Sequence, residues 1–302
     1  MYHNPVMPEA AIDGLSLVSG GIYVDATYGG GGHSAAILER LGEGKLIAFD
    51  QDEDARRNIR DDPRLVFFDH NFRYMKNLLK FHGHLPVDGI LADLGVSSYQ
   101  FDQASRGFST RSEGPLDMRM NRQAPMSAAD ILNTYDDKQL AGLFYTYGEL
   151  RNSRRIAAAI IDHRREKPFE TTTELTGLLE KMAPRGRENK FLAQAFQALR
   201  IEVNQELDSL KELLTQSTEV LKSGGRLVII SYHSLEDRLV KNFMKTGNLT
   251  GKQEKDFYGN LIRPFEPVGK VQTADPKEIA ENPRARSAKL RIAEKVDQHD
   301  RK

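Results

Sequence analysis

Short apolar runs alternate with helix-like segments along roughly the first hundred residues of the chain. Each run has the length and the β-branched or aromatic content of a buried strand, and each intervening segment has the apolar spacing of an amphipathic helix. The predicted strands are 21–26, 45–50, 64–69 and 87–94, and the predicted helices are 34–41, 53–60 and 74–81. Single helices between strands form βαβ units, whose right-handed crossovers give a parallel sheet with helices on both faces. The pattern therefore predicts a doubly wound, Rossmann-like α/β sheet.

The alternation of strands and helices stops after the fourth strand. Between residues 101 and 200 no segment has a convincing strand pattern, and helical spacing dominates. Further strands are predicted at 226–232 and 287–294, and further helices at 128–132, 137–145, 153–165, 173–182, 192–204, 207–221 and 235–244. We therefore expect one doubly wound domain, residues 1–104 and 207–302, interrupted by an all-helical, substrate-recognising insertion at 105–206.

The composition is that of a soluble globular protein and narrows the possible chemistry. Of the 302 residues, 39% are hydrophobic and 28% are charged. No apolar run approaches the ~20 residues that span a bilayer, and residues 1–9 lack the apolar core of a signal peptide, so we expect a cytoplasmic protein with no membrane partner. Because there are no cysteines, disulfides, cysteine-ligated zinc and thiolate nucleophiles are excluded. The 43 basic and 43 acidic residues balance, so a nucleic acid would have to bind local basic patches.

Four consecutive glycines, at positions 29–32, join the first predicted strand to the first predicted helix. Glycines let the backbone turn sharply and approach a ligand, and the helix N-terminus that follows favours negative charge. Gly30, Gly32 and Ala35 satisfy the dinucleotide fingerprint. The stretch 25–31, Asp-x-Thr-x-Gly-x-Gly, is closer to the acidic-x-Gly-x-Gly-x-Gly loop of class I methyltransferases, with Thr27 in place of the first glycine. The loop thus fits either a dinucleotide or S-adenosylmethionine, with the second favoured.

Candidate ligand-binding side chains follow the ends of the predicted strands, where α/β sheets bind their ligands. Asp50 ends the second strand and could accept hydrogen bonds from both ribose hydroxyls; as helix caps, Asp52 and Asp54 are better candidates. Phe72, after the third strand, could stack on an adenine ring or belong to the core. Asp93 ends the fourth strand, near the expected methionine end of the cofactor or the acceptor; its alternative role is to cap the next turn.

Six distinctive sequence blocks occur along the chain, at 29–34, 93–98, 106–109, 114–120, 196–201 and 231–238, together with Gln100. These blocks resemble those of the bacterial family of small-subunit ribosomal RNA cytosine-N4 methyltransferases. The resemblance covers nearly the whole chain in the same order, and 114–120 and 231–238 are its most specific parts. Gly30 stands where some members carry a basic residue, and Tyr232 stands where others carry Phe.

The resemblance implies a cofactor, a substrate and a set of binding residues. The cofactor is S-adenosylmethionine, and the substrate is a cytosine in the decoding region of small-subunit ribosomal RNA, presented in the assembled subunit. Methylation falls on the base amine. The implied cofactor contacts are Gly31, Gly32, His33, Asp50, Phe72, Asp93 and Gln100.

Methylation of a cytosine amine requires a proton acceptor, since the amine lone pair is delocalised into the ring. The acceptor orients the N–H bonds and takes a proton during or after transfer. Asp93 is the first candidate, and His233 and Asn71 are weaker ones. His233 could instead be a turn residue before a helix capped by Ser234. Methylation at C5 usually needs an attacking thiolate, which a chain without cysteine cannot supply.

Arginines cluster in segments that are predicted to be loops or helix starts. An RNA enzyme must extract a base and hold the backbone around it, and several clusters near one crevice favour phosphate contacts over a merely solvated face. Phe108 could stack on a base or anchor its loop on the core. The candidate RNA contacts are Arg106, Arg111, Arg119, Arg154, Arg155, Arg284 and Arg286.

Three other functions remain open on the residues alone. The glycine loop and Asp50 allow a nicotinamide-dependent oxidoreductase, although the later motif blocks argue against it. A ribosome-assembly factor that keeps the fold without catalysis is a second alternative, and a methyltransferase for another macromolecular acceptor is a third. We expect no metal held by protein ligands, and either a monomer or a homodimer.

Overall fold

The computed structural model describes residues 5–297, which form two compact units. Residues up to Gly95 and from Leu207 onward form the core unit, and Val96–Glu206 form the insertion. The insertion therefore begins at Val96, whereas the sequence predicted a boundary at residue 105. The reason is that Val96 and Phe101 pack against the hydrophobic core of the insertion.

A seven-stranded sheet organises the core unit. The strands are β1 Ile22–Asp25, β2 Lys45–Phe49, β3 Leu65–Phe68, β4 Val87–Asp93, β5 Leu221–Ser231, β6 Phe265–Pro267 and β7 Lys289–Lys295. They lie in the order β3-β2-β1-β4-β5-β7-β6. The first five strands are parallel, and β7 runs antiparallel to both β5 and β6. The predicted Rossmann-like α/β sheet is confirmed; β6, with three residues, had no strand pattern long enough to be predicted.

Each predicted helix is present, one of them with a different type, and the structure adds helices at Pro8–Leu15, Ser98–Asp102 and Pro276–Glu281 that were not predicted. In chain order the described helices are α1 Pro8–Leu15, α2 Gly32–Leu41, α3 Met75–Phe81, α4 Ser98–Asp102, α5 Ala128–Thr134, α6 Asp137–Thr146, α7 Ser153–Glu166, α8 Thr172–Glu180, α9 Glu188–Asn204, α10 Glu206–Val220, α11 Ser234–Thr246 and α12 Pro276–Glu281. The predicted helix at 53–60 is a short 3₁₀ helix, Glu53–Asn58, and Asp52 caps it by accepting a hydrogen bond from the Asp54 amide. Within residues 5–297, none of the helices combines the length and apolar character needed to cross a membrane.

Side chains alternate between the two faces of the sheet, and both faces are buried. Val24 and Ile90 belong to one apolar cluster, which includes residues of α3 and α10. Their chain neighbours Tyr23 and Leu91 belong to a second cluster, which includes residues of α1 and α2. This period of two is what a central parallel strand requires when helices cover both faces. The carboxyl ends of β1, β2 and β4 are thereby held at one edge of the sheet.

The insertion has a hydrophobic core of its own. Its helices contribute fully buried side chains such as Phe144, Ile156 and Leu199. Four of its helices, α4, α5, α6 and α8, begin with a capping box. In this motif the N-cap residue and the residue three positions later each accept a hydrogen bond, through the side chain, from the backbone amide of the other. Local signals and a separate core thus define the insertion as a folding unit.

Candidate active site

The glycine loop between β1 and α2 needs glycine at Gly31 in particular. Gly31 has φ 74° and occupies the N-cap position of α2. A Cβ at this position would lie 2.8 Å from the hydroxyl of Tyr28, a buried side chain. Gly30, by contrast, has open space where its side chain would be. The loop therefore tolerates a side chain at Gly30, in keeping with the basic residue that some members of the resembling family carry there.

Asp25 forms hydrogen bonds with both ends of this loop. Its carboxylate accepts a hydrogen bond from the Ser34 hydroxyl at 2.6 Å and another from the Thr27 amide at 3.1 Å. The side chain is 1% exposed, and burial raises its pKa. Sequence reasoning used Asp25 only as part of a loop pattern; its position at the end of β1 was the signal that it belongs to the site.

Asp50 connects the same loop to the end of β2. One carboxylate oxygen accepts from the Gly29 amide at 2.7 Å, and the other accepts from the Asp52 amide at 2.8 Å. Burial raises the pKa of Asp50 to about 6. Because each carboxylate oxygen has two lone pairs, one acceptor position remains on each oxygen. The two positions are the number that a ribose diol would require.

Asp93 is held at the end of β4 by contacts from three directions. Its amide donates to Thr27 Oγ1 at 2.7 Å, and its Oδ1 accepts a hydrogen bond from the Tyr232 hydroxyl at 2.7 Å. Its Oδ2 lies 3.7 Å from Nδ1 of His33. Burial raises the pKa of Asp93 to about 6, and His33 and Tyr232 counteract part of that rise. The side chain remains 22% exposed, so its carboxylate can still be reached.

His33 is buried, whereas a histidine in the first turn of a helix is more often exposed. Its side chain is 6% exposed, and Nε2 lies 2.9 Å from the carbonyl oxygen of Val6. With Nε2 donating to that carbonyl, Nδ1 faces the Asp93 carboxylate. The ring therefore lies between the Val6 carbonyl, which it hydrogen-bonds, and the Asp93 carboxylate, which it faces at 3.7 Å. Its contact with the cofactor stays a prediction.

Asn71 and Phe72 have structural partners in the core unit. The Asn71 side chain accepts from the Arg73 amide at 2.9 Å and donates to Gln51 at 2.9 Å. This amide caps a 3₁₀ turn, which makes it a poor candidate for proton transfer. Phe72 is half-buried and packs against the sheet core, so part of its ring stays accessible for an adenine.

His233 caps α11, and the sequence-based assignment of that cap to Ser234 is wrong. His233 Nδ1 accepts from the Glu236 amide at 3.4 Å, while Glu236 Oε2 accepts from the amides of Tyr232 and His233 at 2.9 and 3.3 Å. Glu236 is 2% exposed. A cap by histidine is unusual, and the preference of serine for this position led to the wrong residue. The imidazole is thus engaged in the turn that presents Tyr232.

Gln100 and one of the candidate arginines, Arg106, have structural roles within the insertion. Gln100, 5% exposed, completes the capping box of α4 by accepting from the Ser97 amide at 2.9 Å. Arg106 is 2% exposed and donates to the carbonyls of Arg119 and Met120, both at 3.0 Å. This burial contradicts the RNA contact that the sequence predicted for Arg106, since its guanidinium is engaged by the backbone.

Other arginines of the candidate set differ in exposure. Arg119 pairs with Asp117 at 2.7 Å and is about a quarter exposed. Phe108 is 3% exposed and anchors its loop on the core of the insertion, which excludes base stacking in this conformation. Arg284 is half-buried. The exposed members are Arg111, Arg154, Arg155 and Arg286.

Comparison with known proteins identifies the family. The chain matches the model of the MraW methylase family over residues 1–296. The chain belongs to the MraW methylase family. Proteins named "Ribosomal RNA small subunit methyltransferase H" from Bacteroides thetaiotaomicron and Phocaeicola vulgatus are each 57% identical to it, over 97% and 98% of both chains, respectively. The protein of the same name from Flavobacterium johnsoniae is 55% identical over 98% of both chains.

Membership in the MraW methylase family decides between the two uses of the glycine loop. A dinucleotide fingerprint and a methyltransferase loop both fitted residues 25–35. The match covers the sheet and the insertion alike, and it removes the oxidoreductase alternative.

Proposed function

We propose that this chain transfers the methyl group of S-adenosylmethionine to N4 of a cytosine in the decoding region of small-subunit ribosomal RNA, in the cytoplasm. The name shared by its relatives supports the ribosomal RNA substrate. The observation that carries the proposal is Asp93, an accessible carboxylate beside the glycine loop with a pKa raised to about 6. The specific cytosine, its N4 atom and the assembled subunit as substrate follow from the family resemblance.

We call the sheet edge that carries the glycine loop, Asp25, Asp50 and Asp93 the loop edge. The loop edge suits S-adenosylmethionine by its charge and by the open backbone of the loop. Among the described residues, no lysine or arginine forms an ion pair with Asp25, Asp50 or Asp93, whose pKa values are all raised by burial. A bound sulfonium cation would balance negative charge that no described lysine or arginine balances at these three residues. Gly30 leaves the backbone open to close approach, because nothing lies where its Cβ would be. When bound, the cofactor supplies the activated methyl group.

Each part of the cofactor has a proposed partner in the chain. Asp50 would accept hydrogen bonds from the ribose hydroxyls, and Phe72 would lie against the adenine. The amides at Gly31 and Gly32 open α2, whose N-terminus favours a carboxylate. His33 would orient Asp93. Gln100 is a further cofactor contact that the family resemblance implies.

Asp93 is the proposed proton acceptor for the cytosine amine. A carboxylate with a pKa near 6 is ionised at neutral pH, yet it is a stronger base than an ordinary aspartate. It can accept a hydrogen bond from an N–H group of the amine and so orient the nitrogen before transfer. It can then take the proton that the methylated nitrogen releases. Positioning of this kind carries much of the rate when the nucleophile is weak.

RNA binding is proposed for the exposed arginines. Arg111, Arg154 and Arg155 of the insertion and Arg286 of the core unit are accessible to phosphates. Arg106 is left out because it is buried. These contacts would hold the backbone while the base is extracted.

The first test is a nucleoside analysis. Purified protein is incubated with methyl-labelled S-adenosylmethionine and small ribosomal subunits from cells that lack the enzyme. The RNA is then digested, and the labelled nucleoside is identified by chromatography and mass. We expect N4-methylcytidine, and no label with the Asp93→Asn variant. Label in another nucleoside would show that the methyl acceptor is not the proposed cytosine. No label despite cofactor binding would favour a ribosome-assembly factor without catalysis.

A further inference from the structure

The side chain of Tyr232 reaches from the end of one central strand to the site at the end of its neighbour. Tyr232 directly follows β5, which pairs in parallel with β4 up to the Asp93–Ile230 position. Its hydroxyl donates to Asp93 Oδ1 at 2.7 Å. The ring is half-buried and packs against the cluster that α1 and α2 form on the sheet. The contact is thus made by a side chain with little room to move.

The backbone of Tyr232 is fixed as well. Its amide donates to the buried carboxylate of Glu236 at 2.9 Å, as part of the turn that His233 caps. The Leu94 amide donates to the Ile230 carbonyl at 2.9 Å and so ties the ends of β4 and β5 together. The hydroxyl is therefore placed by main-chain geometry on both strands.

We propose that Tyr232 is a positioning residue for the methyl transfer: its hydroxyl holds Oδ1 of Asp93, and this leaves Oδ2 to accept the proton of the cytosine amine. The inference rests on the proposed function, in which Asp93 is the proton acceptor. When the N–H bond breaks, its electron pair stays on nitrogen and its proton moves to Asp93 Oδ2. The Tyr232 hydroxyl keeps its own proton throughout.

The direction of the electrostatic effect follows from the contacts. Burial and the nearby Asp93 carboxylate raise the pKa of Tyr232 well above its ordinary value, so the hydroxyl stays a donor. A donated hydrogen bond stabilises the ionised carboxylate and lowers the pKa of Asp93 against the effect of burial. Removing the hydroxyl should therefore raise that pKa further above 6.

The test variant is Tyr232→Phe, measured in the full-length protein. Because Phe stands at this position in other members of the resembling family, the variant is expected to fold. Methyl transfer to small subunits is measured in single turnovers between pH 5.5 and 9 at saturating S-adenosylmethionine. We expect the acid limb of the rate profile to move up by about one pH unit, with a loss of roughly eightfold at pH 5.5 and about threefold at pH 6.5 that largely disappears at pH 9. A loss of equal size at every pH would indicate a merely structural hydroxyl and would overturn the proposal.

Tyr23→Phe is the matched control. Tyr23 is fully buried on the same sheet, and its hydroxyl accepts from the Val18 amide at 2.8 Å, but it has no contact with Asp93. Its loss should lower stability and leave the acid limb in place. A shift of the acid limb in this control equal to that of Tyr232→Phe would overturn the assignment to Tyr232.

A second measurement separates this inference from the proposed function. The carboxyl of Asp93 is titrated by NMR in protein labelled with ¹³C-carboxyl aspartate, with Asp93→Asn assigning the resonance. We expect a higher midpoint in Tyr232→Phe than in the unmodified protein, whatever the activity. An unchanged midpoint overturns the inference. A raised midpoint in a protein that transfers no methyl group supports the contact and counts against the proposed function alone.

Discussion

The pKa values of acidic side chains shift in opposite directions in the insertion and at the loop edge of the core unit. In the insertion, Lys167 and backbone amides lower the pKa of Glu174 to about 2, and hydrogen bonds from Ser127 lower the pKa of Asp130. At the loop edge, burial raises the pKa values of Asp25, Asp50 and Asp93. Contacts in the insertion stabilise the ionised form of these two carboxyl groups, whereas at the loop edge no lysine or arginine within residues 5–297 does so for the three aspartates.

The difference is local to the loop edge and is not a property of the whole core unit. Asp237, in the same unit, is also subject to burial, yet Arg291 and Lys289 bind its carboxylate and lower its pKa. A protein able to neutralise Asp237 could have neutralised Asp93 in the same way. Buried acids without a lysine or arginine partner are typical of sites whose ligand or reaction supplies positive charge. The comparison therefore favours a cationic ligand at the loop edge.

The largest expected effect is on methyl transfer by Asp93→Asn. Asparagine keeps the shape and the acceptor for the Tyr232 hydroxyl, but it cannot take a proton. We expect the single-turnover rate on small subunits to fall by about 10²- to 10⁴-fold, with cofactor affinity changed much less. The matched variant Asp237→Asn should keep the rate within a few fold. A nearly normal rate in Asp93→Asn would remove Asp93 from the mechanism.

The same variant is expected to gain stability at neutral pH. Raising the pKa of Asp93 from an ordinary 3.8 to about 6 means that the ionised side chain costs ~3 kcal/mol in the folded state. Below pH 3.8 the side chain is protonated in both states, so the cost is absent; it grows as pH rises and is complete above about pH 6. Asp93→Asn should therefore match the unmodified protein near pH 3.5 and exceed it by up to ~3 kcal/mol at pH 8, in calorimetry without cofactor.

Glu174→Gln is the counterpart in the insertion and should behave in the opposite sense. Its lowered pKa means that the ionised side chain stabilises the fold above pH 4.5 and that this contribution is lost as pH falls towards 2. The variant should be less stable at neutral pH. If both variants changed stability in the same direction at pH 8, the contrast between the two regions would fail.

The sheet and the position of its site followed from the sequence because both depend on local patterns. Strand patterns marked six of the seven strands, all except β6, and Asp50 and Asp93 could be placed because each ends such a run. The glycine loop could be placed for the same reason. The family resemblance then supplied the cofactor and the acceptor, which no periodicity could provide.

What the sequence missed depends on contacts between distant residues. The hydrogen bond from Tyr232 to Asp93 joins residues 139 positions apart, and the burial of His33 depends on Val6. Arg106 appeared to be a surface cation because nothing nearby in the sequence shows that two carbonyls of a later turn receive its guanidinium. Burial of polar side chains is decided by tertiary packing, and local patterns do not show it.

Arg106 provides the next prediction, on the stability of the insertion. Arg106→Met removes the guanidinium and leaves buried carbonyls with fewer donors, which should lower the unfolding free energy by about 2 kcal/mol. Arg111→Met, at an exposed position nearby in the chain, should change it by less than ~0.5 kcal/mol. Chemical denaturation measures both. Equal effects would show that exposure does not separate structural from RNA-binding arginines here.

The smallest expected effect concerns cofactor preference and tests the comparison most directly. S-adenosylmethionine carries a sulfonium charge that its demethylated product lacks, and this charge does not titrate between pH 5.5 and 7.5. Asp50 and Asp93, each with a pKa of about 6, lose most of their negative charge over the same interval as pH falls.

The preference for S-adenosylmethionine over the product should therefore weaken by ~1 kcal/mol, roughly fivefold, between pH 7.5 and 5.5. Calorimetric titration of both ligands at each pH measures the ratio, and Asp93→Asn should reduce its pH dependence without removing the share that belongs to Asp50. A ratio independent of pH would mean that the uncompensated acids do not face the sulfonium. The charge argument for the cofactor would then fail, although the family assignment would stand on the sequence match alone.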